Sequence, residues 1–415
     1  MIKLKLTGLS FLQFFIWGSW LITIGSYCFG NKQWQPDEFG IIFSTMGFAA
    51  LFMPAVAGII TDRFVPAQVL YGIFHMLGGI GLFLLPIAET PTEMFWILLG
   101  TMFFYMPTIS LSNTVAYTLL KKENLDIIKS FPPIRVWGTI GFIIALWTIS
   151  LSGWEQHAYQ FYVGGISSLV LAIFAFTLPN CPPLGKSTTK SENNKFLSQA
   201  FTLIRNKQFS IFLLFAMGMG AALQLTNMYG TPFLNDFNSM ELYKNSLTVK
   251  YPAMIMSISQ ISETLFILTI PFFMKKFGIK KVILFSIIAW VLRFGLFSFG
   301  NPGDGLWMIV LSCIIYGMAF DFFNVSGSLY IEQNVSPNIR SSAQGMFTMM
   351  VNGIGAVLGS LISGYAIQKF YIIDNITQQK DWSGIWMSFT IYSIILGILF
   401  VIFFRENHSQ SPTES

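Results

Sequence analysis

Charge is what this sequence has least of. Only 10% of its 415 residues are Asp, Glu, Lys or Arg, against about a quarter in an ordinary soluble domain. So few ions cannot clothe a globule of this size in solvated groups, so most of its surface must face something other than water. Cysteine is scarce too: Cys28, Cys181 and Cys313 stand far apart. No CxxC or Cys/His spacing joins them, which excludes a disulfide framework and a zinc site and leaves three packing residues. The chain also lacks a P-loop, HExxH, GxSxG or a paired acidic motif for metal-bound diphosphates. Nothing therefore points to an enzyme, an ATP-driven pump, or a bound cofactor or metal. The net charge of +5 is spread through short loops between apolar runs, as in membrane proteins, and not gathered into a nucleic-acid patch.

What is present is hydrocarbon. Apolar residues make up 53% of the chain, Phe occurs 43 times, and the mean hydropathy is +0.61. Lipid is the solvent this implies. A helix crosses the hydrocarbon core in about 20 mainly apolar residues, and helices satisfy their own backbone there. An all-α polytopic membrane protein is expected. Twelve runs qualify, near 6–29, 38–60, 67–87, 93–119, 131–152 and 159–179, then 209–231, 249–273, 280–299, 305–331, 341–367 and 383–404. The first is too long for a signal peptide and has no cleavage site, so it reads as a spanning helix.

A polar segment over 181–208, with Pro182, Pro183 and a Ser/Thr/Lys/Asn cluster from Ser187 to Lys195, separates two six-helix bundles over 1–180 and 209–404. A tail follows over 405–415. An even number of spans puts both ends on one face. The loops on that face hold seventeen of the 24 Lys and Arg residues, and the opposite loops hold five: Lys32, Lys244, Lys250, Lys369 and Lys380. The positive-inside rule then makes both termini, the linker and the tail cytoplasmic.

The loops after the second and eighth runs read Gly58-Ile-Ile-Thr-Asp62-Arg63 and Lys275-Lys276-Phe277-Gly278-Ile279-Lys280-Lys281. Both resemble degraded copies of the GxxxD(R/K)xG(R/K)(R/K) signature of the major facilitator superfamily. Their equivalent places in two halves imply that fold, with binding at the midplane between the bundles.

Ions inside the bilayer are costly and therefore functional candidates. Four lie well inside the runs: Arg135, Glu263, Arg293 and Asp321. Asp321 stands mid-run, where a carboxyl loads and releases a proton as access changes, or else serves as a fixed partner of an arginine. Gln260 and Glu263 share a helical face, as do Gln224 and Asn227, and amides with a carboxylate suit a polyhydroxylated solute. The competing reading is hydrogen bonding between helices without a ligand. Arg135 follows Pro132 and Pro133, which are expected to distort the start of their helix, and Thr139 lies one turn on along the same face. Arg135 is the natural counter-charge for Asp321 or Glu263. Arg293 reads as structural, snorkelling to the interface, and His75 as a packing residue. Trp17, Trp20, Tyr105, Phe142, Tyr316 and Phe320 recur at helical spacings, and of these Tyr316 and Phe320 adjoin Asp321 and suit stacking on a planar ligand.

Longer strings carry a resemblance. Leu9-Ser-Phe-Leu-Gln13-Phe-Phe-Ile-Trp17-Gly-Ser-Trp20, Phe131-Pro-Pro-Ile-Arg135-Val-Trp-Gly-Thr139-Ile-Gly, Ile255-Met-Ser-Ile-Ser-Gln260-Ile-Ser-Glu263-Thr-Leu, Ala319-Phe320-Asp321-Phe-Phe-Asn324 and Ser342-Ala-Gln344-Gly-Met-Phe are similar to the bacterial nucleoside permeases, nucleoside–proton symporters of the major facilitator superfamily. The resemblance implies uptake of nucleosides, such as uridine and adenosine, driven by protons across the inner membrane. It also implies a binding cavity of Arg135 and Thr139 on one side and Gln224, Asn227, Gln260, Glu263, Tyr316, Phe320 and Asp321 on the other, with Asp321 or Glu263 coupling to the proton. Proton symport of another polyhydroxylated solute, such as a sugar, is the alternative.

Overall fold

The structure is a computed structural model that describes residues 2–183, 204–336, 339–374 and 377–404. Most of the expected linker, with Lys186, Lys190 and Lys195, and the expected tail lie outside these residues. In the first half, α1 (Ile2–Gly18), α2 (Pro36–Arg63), α3 (Ala67–Leu84), α4 (Pro91–Lys122), α5 (Ile127–Leu151) and α6 (Tyr159–Phe176) follow one another. The second half begins with α7 (Lys207–Asp236). The chain then continues through Pro252–Met256, Ile258–Phe266 and Ile270–Phe299. Gly278, at φ 78°, breaks that last stretch, so α8 covers 252–277 and α9 covers 279–299. It ends with α10 (Leu306–Asn334), α11 (340–370, with a π-helical turn at Met349–Gly355) and α12 (Trp382–Phe403).

Among the described residues, ten helices are by themselves long and apolar enough to cross a membrane. Two adjustments bring these to the expected twelve spans. The first helix runs only 17 residues before it breaks and resumes in Ile24–Ser26 and the π-helical Tyr27–Asn31. The stretch Pro252–Phe299 is two spans meeting at Gly278. A small departure from the all-α expectation is an antiparallel pair of strands, Ile372–Asp374 and Gln379–Lys380, in the loop between α11 and α12.

The helix starts follow from their caps. Pro36 opens α2 behind Gln35, whose backbone N–H donates to Glu38 Oε2 at 2.8 Å. Pro91 opens α4 behind Thr90, whose hydroxyl accepts from the Glu93 N–H at 3.2 Å. Such boxes satisfy amides that a helix start leaves unpaired. Along α12 the exposed positions include Ile391, Ile394, Ile395, Ile398 and Ile402, an aliphatic face suited to lipid.

Each half uses the same internal pairing. α1 packs on α5, α2 on α4 and α3 on α6; correspondingly α7 packs on α11, α8 on α10 and α9 on α12. The weak self-similarity in sequence is thus a structural repeat. Across the halves, α2 meets α11 and α5 meets α8, the same contact in two copies. A Cβ on Gly40 of α2 would stand 2.5 Å from the Ser360 carbonyl of α11, so glycine is what allows that approach.

The halves are fastened unevenly. Among the described residues, the hydrogen bonds between them are Thr231 to the Ile22 carbonyl, Asn235 to Ser26, Trp147 to Ser257, and the Ala253 and Met254 amides to Glu155 and Ser150. All lie toward the end remote from the termini, called the far end below. These bonds close the structure at the far end.

Arg293 does not snorkel. It is fully buried, and its guanidinium ties three helices of the second half. Nε donates to Thr226 Oγ1 of α7 at 3.1 Å, and Nη1 donates to Ser259 Oγ of α8 at 3.3 Å and to the Ser312 carbonyl of α10 at 2.7 Å. Its charge lies over the rings of Tyr316 and Phe297, 4.6 and 5.0 Å from their centroids. Depth explains the difference: a side chain on the inward face of α9 finds acceptors nearer than the interface. Replacing Arg293 with Met is expected to cost roughly 2–4 kcal/mol, because three buried acceptors lose their donor. A thermal melt of the purified protein in detergent should show the midpoint falling by several degrees; an unchanged midpoint contradicts the staple.

Candidate functional site

Close helix packing builds the site. A Cβ on Gly317 of α10 would stand 2.6 Å from the backbone of Ser262 on α8, and the Ser262 hydroxyl donates to the Ile314 carbonyl. This contact sets Glu263 beside the α10 residues Tyr316 and Asp321, and the two acids act on each other and on Tyr316 electrostatically. Tyr316 and Phe320, one turn apart, stack with centroids 5.9 Å apart and planes 5° apart.

Arg135 faces this group from the first half. Its guanidinium lies 3.9 Å from the Phe14 ring centroid and interacts electrostatically with Glu263. Among the described residues, no ion pair within 4 Å joins Arg135 to either acid. The expected counter-charge is therefore Glu263 rather than Asp321, and it is held across a gap. The distortion expected at Pro132 and Pro133 is not seen as a break: α5 begins earlier, at Ile127, and runs through both prolines. Both prolines lie past the first turn, so each withholds the amide that would bond the carbonyl four residues back.

Two polar atoms here are buried and without a partner: Asp321 Oδ2 and Gln260 Oε1. Asp321 is 5% exposed. Buried acceptors are nearly always satisfied, and these two lie on α10 and α8, the helices that also carry the Tyr316–Phe320 stack and Glu263. The other expected residues are less tightly gathered. Gln224 is buried, while Asn227 and Thr139 are half-buried, and among the described residues no hydrogen bond joins these three to the acids. Arg293 relates two of the helices: its partners Thr226 and Ser259 are the sequence neighbours of Asn227 and Gln260. The sequence shows two acids and two bases in the bilayer, but neutral groups take up Arg293. Arg135 is left opposite Glu263, which in turn acts on Asp321.

A second polar cluster escaped the sequence reading. Gln13 Oε1 accepts from the Tyr71 hydroxyl at 2.7 Å and lies 2.8 Å from His75 Nε2. Because that oxygen only accepts, Nε2 carries the proton. Gln13 Nε2 donates to Thr108 Oγ1 at 2.9 Å, the Tyr105 hydroxyl donates to the Gln13 carbonyl at 2.7 Å, and His75 Nδ1 lies 3.1 Å from Ser168 Oγ. His75 is thus the packing residue expected, and the network around it draws on three other helices, α1, α4 and α6. Trp17 stacks on Tyr105 with centroids 4.8 Å apart, and Tyr105 interacts with Arg135, so this network backs the wall that carries Arg135. Gln13 and His75 are 62 positions apart, and no local spacing connects them. Glu155, in the loop after α5, was also missed, because a charge in a loop is ordinary.

Comparison with known proteins agrees with this architecture. The profile of the nucleoside H+ symporter family matches residues 1–409. The chain is 47% identical over 413 residues to the nucleoside permease NupG of Escherichia coli (strain K12), covering 99% of this chain and 98% of that one. It is 45% identical over 408 residues to the xanthosine permease of the same organism, covering 98% and 97%. The crystal structure of nucleoside transporter NupG superposes with a TM-score of 0.91 at 47% identity, covering 98% of this chain and 99% of that one. This multi-pass membrane protein belongs to the nucleoside H+ symporter family, with the major facilitator fold of twelve spans in two six-helix bundles.

Proposed function

We propose that this protein imports nucleosides together with protons by alternating access, binding the substrate at the midplane between the halves. The observation that carries the reading is the pair of unfilled buried acceptors, Asp321 Oδ2 and Gln260 Oε1, beside the Tyr316–Phe320 stack. A nucleoside matches such a lining: a planar base stacks on aromatic faces, amides pair with its edge, and carboxylates accept from ribose hydroxyls. In this reading Arg135 and Thr139 contact the substrate from one side, and Gln224, Asn227, Gln260, Glu263, Tyr316, Phe320 and Asp321 from the other.

Charge balance supports the coupling. Arg135 supplies one positive charge and Glu263 and Asp321 supply two negative ones, so a single added proton leaves the chamber neutral. An uncompensated ion at this depth is costly, so a proton that neutralises the group eases its passage between the two access states. Asp321 is the first candidate to carry it and Glu263 the second. The bodies that rock are residues 1–180 and 209–404, joined through 181–208. With the termini cytoplasmic, as the Lys and Arg distribution favours, the far end faces outside the inner membrane. The closed far end then makes this conformation inward-facing.

Sugar symport is the weaker reading, since the family and the most similar curated relatives are nucleoside or xanthosine permeases. Proteoliposomes containing only this protein decide between them under an imposed proton gradient. Labelled uridine should accumulate and excess adenosine should compete, whereas excess xylose should not. Failure of uridine to accumulate overturns the proposal.

Asp321→Asn is expected to abolish accumulation against a gradient while sparing nucleoside binding and some exchange. Wild-type, pH-dependent accumulation in that variant moves the proton site to Glu263. Glu263→Ala and Gln224→Ala are expected to weaken nucleoside binding by roughly tenfold or more, about 1–3 kcal/mol for a lost polar contact, at near-normal expression. Calorimetric titration of the purified variants reads this, and a collapse of expression instead assigns these residues to packing.

A further inference from the structure

Glu155 lies in the far-end loop between α5 and α6, outside the spanning helices, yet it is only 6% exposed. Its carboxyl reaches the opposite half: Oε1 accepts from the Ala253 N–H at the start of α8 at 3.0 Å and from the Ser150 hydroxyl of α5 at 2.5 Å. The Met254 N–H donates to the same Ser150 Oγ at 3.4 Å. On the loop side, Gln160 Nε2 of α6 donates to the Glu155 carbonyl at 2.9 Å, while Gln160 Oε1 accepts from Thr23 at 2.7 Å. Asn235 of α7, which holds Ser26 Oγ at 2.6 Å, stands beside the carboxyl. Glu155 thus sits where elements of both halves converge.

The bonding of this carboxyl is one-sided. Oε1 is satisfied, but Oε2 is buried and accepts nothing. The groups that act on it, Ser150, Ala253 and Asn235, are all neutral. In the cavity next to it, Lys380 and Asp236 are spent on each other at 3.4 Å. An ionised carboxylate sealed away from water with neither a cation nor a donor for one oxygen is expensive, and a proton removes that expense. Gln156, the next residue, lines a far-end cavity of about 820 Å³ together with Ser26 and Asn235, so parting α5 from α8 opens the carboxyl to water.

We propose that Glu155 is a proton-binding site of the transport cycle, loaded from the far-end solution while that end is open and sealed when the halves close over it. This rests on the alternating-access reading above. It is distinct from the midplane acids: the proton enters and leaves on the same face, so it sets when the far end closes and is not itself transported. The reaction is hydronium plus carboxylate giving water plus carboxylic acid, with no other reactant.

Burial pushes Glu155 up to about 7, against the bonds from Ser150 and Ala253 and the nearby Asn235 amide. In the open form, hydrated, it falls back toward the ordinary value of 4.5. Below that value both forms hold the proton and closure carries no penalty. Between there and about 7 the open form ionises first, so rising pH draws the equilibrium open; above about 7 the penalty is complete and constant. Across the window the closed-to-open ratio should fall by about three-hundredfold.

Spin labels on Ser152→Cys and Asn245→Cys, both exposed far-end loop positions in opposite halves, read the opening as a distance; Cys28, Cys181 and Cys313 are buried. The double-labelled full chain in nanodiscs, without nucleoside, should give the short distance at about pH 5 and gain a longer one by about pH 8. Glu155→Gln, which keeps the acceptor and removes the charge, should stay short throughout. Ser150→Ala, which strips a donor from the ionised form and removes the acceptor of the Met254 N–H across the halves, should open further than the unsubstituted chain at about pH 8. A distance that does not respond to pH in the unsubstituted chain, or the same response in Glu155→Gln, overturns the proposal. Because no nucleoside is present, such a failure is separable from failure of uridine to accumulate.

Discussion

One guanidinium set against a pair of coupled carboxyls inside the bilayer is the arrangement on which the rest of this structure depends. Arg135 enters from the first half, and Glu263 and Asp321 from the second. In lipid such a group is tolerable only when protein walls it off and its charges nearly cancel. The walls are built accordingly. The Gln13–Tyr71–His75–Tyr105 network stiffens the side behind Arg135, and Arg293 fixes α7, α8 and α10 on the other side. Each support draws its hydrogen bonds from its own half and uses none of Arg135, Glu263, Asp321 and Gln260.

The second theme is repetition. The two halves use the same helix pairs, and they meet each other through the same pair of contacts, α2 with α11 and α5 with α8. Two similar bodies joined at such contacts rock about the site between them. Far-end closure depends on glycines that admit a neighbouring backbone, such as Gly40, and on a few polar bonds. Bonds of that kind contribute about 1 kcal/mol each in net terms, enough to hold one state without locking it. Glu155 is the ionisable member of this set, and a proton-responsive closure would link the far-end solution to the same cycle that carries the midplane proton.

Much of the fold was legible in the residues. The twelve apolar runs, the division near 180 to 208 and the intramembrane ions all follow from how sharply lipid penalises charge and unpaired backbone. Where sequence fell short, the reason was local. Arg293 was read from its position along the helix, whereas its inward direction and its partners on three other helices decided its role. The start of α5 was placed at its prolines, yet the helix begins upstream of them. The break after Gly18 and the π-helical turns leave no mark in hydropathy.

The sequence alone determined the solvent, the number of spans and which side chains are too costly to lie in lipid without purpose, because these depend on composition and on periods of a few residues. It did not determine which of those side chains meet. That Arg135 is set against Glu263, that His75 reaches Gln13 on another helix, and that Glu155 is buried against the opposite half were decided only when distant helices packed. A contact between residues 62 or 98 positions apart is set by the three-dimensional path of the backbone between them, and no local spacing encodes that path.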